Sequence, residues 1–93
     1  MEEISDLIYS LKTKHEISKL LSEILTDSEI STLSKRWRIL KMLSQGKTQR
    51  EIAQTLNVGL CKVTRGAKII KNKNAIVTKY FKIKEKKNYD NDK

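Results

Sequence analysis

The chain reads as all-α, a bundle of six helices in one small domain, and three observations carry that reading. There is no proline and there are only three glycines in 93 residues, which suits helices and tells against a turn-rich β fold. Apolar residues recur three and four positions apart through most of the length. The breaks between these periodic stretches fall at residues that cap or turn a helix.

The first helix is expected near 2–13, on Ile4, Leu7, Ile8 and Leu11, and the second near 16–25, on Ile17, Leu20, Leu21 and Ile24. Thr26 or Asp27 restarts the chain, and Glu29 stands three residues after Thr26, as a capping box requires. The third helix runs to about Gln45 with Ile30, Leu33, Trp37, Leu40 and Leu43 on one side; its length makes it the spine. Gly46 ends it in the position that favours a left-handed residue. Thr48 and Glu51 have the spacing of a second capping box, and open a short helix whose apolar side is Ile52, Ala53 and Leu56. Asn57 suits a tight left-handed turn. After Gly59 a further helix carries Val63, Gly66, Ala67 and Ile70. "KNKN" reads as a turn, and a last helix is expected near 74–85, with a disordered tail over 86–93.

Residues 48–71 therefore have the pattern of a helix-turn-helix. Small Ala53 lets the second helix cross the first closely, and Ile52, Leu56, Val58 and Val63 lock the pair. Leu60, Cys61, Lys62, Thr64, Arg65 and Lys68 are left facing outward, and groups of this kind touch base edges and phosphates.

Charge points the same way. The net charge is +9, with seven acids and three lysines before residue 32 and seventeen Lys or Arg against four acids after it. Such asymmetry suits a polyanion on one face, with nucleic acid ahead of an anionic membrane or a merely solvated surface. Cys61 is the only cysteine, so no internal disulfide forms, and a cytoplasmic setting is the simplest. No apolar run is long enough for a membrane span and no signal-peptide pattern opens the chain. No metal cluster, nucleophile–base pair or carboxylate pair is apparent, which tells against an enzyme. His15 stands alone as a solvated helix end, and Trp37 is expected in the core or at a dimer interface.

From Leu20 to Lys71 the chain resembles the bacterial tryptophan repressor family. The resemblance rests on Leu25, Thr26 and Glu29, on Arg36, Arg38 and Ile39, on "QRE" at Gln49–Glu51, and on "TRG" at Thr64–Gly66. It implies a six-helix protomer in an intertwined homodimer, repressing tryptophan synthesis or uptake genes at a palindromic operator with L-tryptophan as corepressor. It implies that the indole lies between Arg36 and Arg65, a pairing suited to planar guanidinium groups. Arg65 and the Thr26 hydroxyl would meet the carboxylate, the ammonium would sit near the carbonyls of Glu23 and Leu25, and Gly66 would allow close approach. Ile69 stands where the family usually has a serine, and Lys62 where it often has a threonine. The turn at Gly46–Thr48 is one residue shorter than the family pattern. DNA contacts are expected from Gln49, Arg50, Ala53, Leu60, Cys61, Lys62, Thr64, Lys68 and Lys71. No cofactor or metal is implied. The rival readings are a ligand-independent DNA-binding protein of the same fold, such as a relative of the duplex-binding domain of replication initiators, and a protein-interaction module using the acidic N-terminal helices.

Overall fold

The computed structural model describes the backbone of residues 1–91 and the side chains of residues 1–84. Six helices follow in order: α1 Glu2–Ser10, α2 Lys14–Ile24, α3 Asp27–Ser44, α4 Gln49–Leu56, α5 Leu60–Lys71 and α6 Ile76–Asn91. No strand occurs among the described residues. The chain divides into two compact units, Met1–Leu33 and Ser34–Lys93, with the boundary inside the continuous helix α3.

Local chemistry sets the helix ends. α1 stops at Ser10, earlier than its apolar spacing suggests, because Thr13 starts the next helix. Thr13 Oγ1 accepts from the Glu16 backbone N–H at 3.1 Å, and the Thr13 N–H donates to Glu16 Oε1 at 3.2 Å. This reciprocal capping box places the break at Leu11–Thr13 and starts α2 at Lys14. The box expected at α3 forms as well. The Thr26 N–H donates to Glu29 Oε1 at 2.9 Å, and Thr26 Oγ1 accepts from the Glu29 N–H at 3.1 Å. Hydrogen bonds from the Thr26 N–H, first, and from its hydroxyl hold the Glu29 carboxyl below the usual carboxylate range. At α4 only half of the expected box is made. Thr48 Oγ1 accepts from the Glu51 N–H at 3.2 Å, without a return bond from Glu51 to the Thr48 backbone.

In the Met1–Leu33 unit no residue is fully buried, and Ile4, Leu7, Ile17, Ile24 and Leu33 are all exposed. The Ser34–Lys93 unit holds the core. Ile39 of α3, Ile52 of α4 and Val63 of α5 are buried, with Met42, Leu43, Ala53, Leu56 and Val58 packed around them. Ile39 lies off the stripe read from the sequence, so the side of α3 that enters the core is rotated from the expected one. Leu40 and Leu43 are half-buried, whereas Trp37 is 40% exposed. Trp37 stacks on Phe81 of α6, with ring centroids 4.9 Å apart and planes 24° apart, and Tyr80 lies 5.7 Å from it.

Two left-handed residues make the turns. Gly46 has φ 86° after α3, and Asn57 has φ 53° after α4. The Asn57 N–H bonds the Gln54 carbonyl and the Val58 N–H the Ala53 carbonyl, so the α4 C-terminus is closed before Gly59 leads into α5. Between α5 and α6 the Asn72 side chain accepts from the Asn74 N–H at 2.9 Å. That turn occupies 72–75 and delays α6 to Ile76, two residues later than expected. Buried Thr78 then donates its hydroxyl to the Ile69 carbonyl at 3.0 Å, with the Ile70 carbonyl at 3.2 Å, tying α6 to the last turn of α5. The tail expected to be disordered, 86–93, falls where side chains and, at 92 and 93, the backbone lie outside the described residues.

Candidate nucleic-acid interface and ligand cleft

Helix α5 is two-sided. Val63, Gly66 and Ala67 are buried, and that inward set recurs at helical spacing. Leu60, Cys61, Lys62, Thr64, Arg65, Lys68 and Lys71 are exposed. Its first turn has no acid and its last carries Lys68 and Lys71, so the charge on the exposed side is all positive.

Gly66 is explained by packing. A Cβ there would stand 2.9 Å from Ile39 Cγ2, 3.3 Å from Leu43 Cδ1 and 3.5 Å from Leu40 Cδ2. Only a residue without a side chain lets α5 lie this close to α3. Helix α4 is fastened to α5 by a polar bond as well as by the core: Thr64 Oγ1 donates to Gln49 Oε1 at 2.9 Å and also lies 3.1 Å from the Leu60 carbonyl. Gln49 is half-buried at the first position of α4, and Arg50 beside it is exposed. Ala53, expected among the DNA contacts, is instead half-buried on the core cluster, which is the packing role its size suggests.

Between α3 and α5 lies a cleft of about 320 Å³. Arg36, Lys62 and Arg65 supply its charge; Ile39, Leu40 and Ile69 supply apolar wall, with the Gly66 backbone between them. The volume is at the lower end of the roughly 300–1,000 Å³ typical of small-ligand sites. The structure therefore brings together four of the residues expected to hold a ligand: Arg36, Arg65, Gly66 and Ile69. Lys62 joins them, although it was expected only on the DNA side. Its spacing shows why: Lys62, Arg65, Gly66 and Ile69 stand at i, i+3, i+4 and i+7 of one helix. Leu40 was read only as part of the α3 stripe, and Ile39 only as part of a sequence resemblance; both line the cleft. Glu23, Leu25 and Thr26 belong to the Met1–Leu33 unit, at the end of α2 and the cap of α3. Thr26 Oγ1 is engaged as the cap acceptor of the Glu29 N–H, and its hydroxyl also acts on the Glu29 carboxyl.

Six helices, a cationic exposed helix and a guanidinium-lined cleft behind its glycine meet in a chain whose residues 1–85 match the family model for the Trp repressor protein. The chain belongs to the Trp repressor family. The family comprises DNA-binding transcription regulators and not enzymes. The Trp operon repressor homolog of Vibrio campbellii is 36% identical over 73 residues, covering 77% of this chain and 73% of its own. That of Vibrio parahaemolyticus is also 36% identical, covering 77% and 71%. The Vibrio cholerae homolog is 32% identical over the same shares. No solved structure gives a significant match. Among the described residues of this Trp repressor family member no group of three or more His, Cys, Asp or Glu could hold a metal, and no helix is long and apolar enough to cross a membrane.

Proposed function

We propose that the chain is a cytoplasmic, tryptophan-dependent repressor that binds a palindromic operator as a homodimer. The observation that carries this reading is that one helix, α5, supplies both a wall of the cleft and the exposed cationic face. A ligand between Arg36 and Arg65 sets how α5 stands on α3. L-tryptophan fits by its chemistry: guanidinium planes stack on the indole, and Arg65 receives the carboxylate. The ligand then favours the DNA-competent position of α5 by a coupling of about 1–3 kcal/mol.

Helix α5 enters the major groove as the second helix of a helix-turn-helix. Leu60, Cys61 and Thr64 reach base edges, with Gln49 and Arg50 at the start of α4, while Lys62, Lys68 and Lys71 meet phosphates. Pairing of two protomers is supported by the exposed Ile4, Leu7, Ile24 and Leu33 in a unit with no buried residue. The genes controlled are those for tryptophan synthesis or uptake.

The test is fluorescence anisotropy on a labelled palindromic duplex from a tryptophan-gene regulatory region, at fixed salt, with and without L-tryptophan, against a scrambled duplex. Tightening on the operator alone, and only with tryptophan, supports the reading. Equal binding in both conditions favours a ligand-independent DNA-binding protein of the same fold, a second reading that draws on the Thr64–Gln49 bond, which holds α4 to α5 without any ligand.

A further inference from the structure

Resting on the reading of α4 and α5 as the operator interface, we infer that the chain grips the duplex a second time, beyond the palindrome. Lys73 in the α5–α6 turn, with Lys79 and Lys82 on α6, meets backbone phosphates there without reading sequence. From Ile52 to Lys84 the chain has eight Lys or Arg and no acid. Four of the eight lie beyond Lys71, outside the helix-turn-helix, and all four are exposed.

Helix α6 is held on the end of α5 and does not trail from it. Buried Thr78 bonds the Ile69 and Ile70 carbonyls at 3.0 and 3.2 Å, and the Asn72 side chain closes the turn on the Asn74 N–H at 2.9 Å. Lys73 therefore stands in a hydrogen-bonded turn, between Lys71 at the end of α5 and Lys79 in the first turns of α6. Lys79 and Lys82 are three apart and share one side of the helix. Lys84 is set apart from them: its Nζ lies 5.8 Å from the Tyr80 ring centroid, and it lines a cleft with Trp37 and Lys41. Each lysine that neutralises a phosphate releases counterions from the duplex, so such contacts show as salt dependence. An anionic membrane is the other polyanion this surface could meet. Against it, the large exposed apolar residues among the described part of α6 are Ile76, Tyr80 and Ile83, a single row narrower than the side an interfacial helix buries. Duplex DNA is favoured because these lysines continue the surface already assigned to it.

The experiment is the salt dependence of operator binding by the full chain, with L-tryptophan present, on two duplexes. One is trimmed to the palindrome; the other carries about ten further base pairs at each end, roughly one helical turn. On the longer duplex log affinity is expected to fall more steeply with log salt, by roughly 0.9 for each phosphate met beyond the palindrome. Lys73→Gln, Lys79→Gln and Lys82→Gln together should remove that difference, with the far-ultraviolet circular dichroism unchanged. Lys12→Gln, Lys14→Gln and Lys19→Gln together delete the same charge from the Met1–Leu33 unit and should preserve it. Equal slopes on both duplexes for the parent, or an undiminished difference in the first triple variant, overturns the inference and leaves operator binding standing. Loss of the difference in both triple variants assigns it to net charge and overturns the role of these lysines. Binding to vesicles of anionic lipid that only the first triple variant loses, with no effect of duplex length, gives the surface to a membrane instead. Failure to bind either duplex removes the operator reading itself, and the second grip with it.

Discussion

The Thr64 hydroxyl donates to the Gln49 side-chain carbonyl across the α4–α5 crossing, at 2.9 Å. Two side chains that would face DNA are thus joined to each other, fifteen residues apart in sequence. Thr64→Val and Gln49→Ala each break the bond. A double-mutant cycle on thermal stability should return a coupling of ~0.5 kcal/mol, the low end for an intramolecular hydrogen bond, since both groups are accessible to water. Operator affinity should fall in each single variant. Strictly additive stabilities would mean that the bond contributes nothing to the crossing.

Gly66→Ala sets two effects against each other. Alanine in a helix gains up to about 1 kcal/mol over glycine, but the new methyl meets Ile39 Cγ2 at 2.9 Å. Overpacking a tight contact costs roughly 1–3 kcal/mol, so net destabilisation is expected on chemical denaturation. Adding Ile39→Ala removes the colliding group, and the double variant should be more stable than the sum of the two changes. A Gly66→Ala protein as stable as the parent would show that α3 and α5 are free to part.

At Asn57 the backbone is left-handed, with φ 53°. A residue with an ordinary Cβ pays roughly 1–2 kcal/mol there. Asn57→Ala should lower stability by about 1 kcal/mol, since asparagine already carries part of that strain, and Asn57→Gly should be neutral or slightly stabilising. Urea midpoints of the three proteins decide the matter, and equal midpoints for Asn57→Ala and the parent would contradict it.

Acid should loosen the start of α3. The Glu29 carboxylate is held below its ordinary pKa by the Thr26 N–H and hydroxyl, so it binds its proton less readily folded than unfolded. Its stabilising contribution is complete above the ordinary carboxylate range and is lost as pH falls through the lowered folded value. Glu29→Gln keeps the shape of the cap without the charge. The melting difference between parent and Glu29→Gln should be present at neutral pH and close under acid. A difference that does not change with pH would remove the carboxylate from the explanation.

Arg36 and Arg65 are expected to fail separately and even when replaced conservatively. Arg65→Ala should abolish the response of operator binding to L-tryptophan. Arg36→Lys should weaken it markedly, because an ammonium lacks the flat face that stacks on a ring. Full tryptophan responses from both variants would place the ligand elsewhere.

The helices themselves were legible because their signals are local. Thr26 with Glu29, Gly46 and Asn57 each declare an end within four residues of chain. The Thr13–Glu16 box carries the same signal and explains the earlier end of α1, but the apolar run through Leu11 masked it. Ile39 was missed as a core residue because the rotation of α3 is decided by what packs on it, chiefly Gly66, and that contact spans 27 positions. The pairing of Arg36 with Arg65 came from resemblance, since spacing cannot bring together residues on different helices. Lys62 was assigned to one face only, although a long side chain on a narrow helix can serve the cleft edge and the outer surface alike.

The rings of Trp37, Tyr80 and Phe81 form one fixed array, and they include the chain's only tryptophan and only phenylalanine. Aromatic chromophores held in an asymmetric arrangement give optical activity in the near ultraviolet, and that activity vanishes when the packing is lost even if the helices survive. The near-ultraviolet spectrum of this protein is therefore dominated by a single contact, the docking of α6 on α3. It gauges that contact separately from total helix content, with no label attached to the chain.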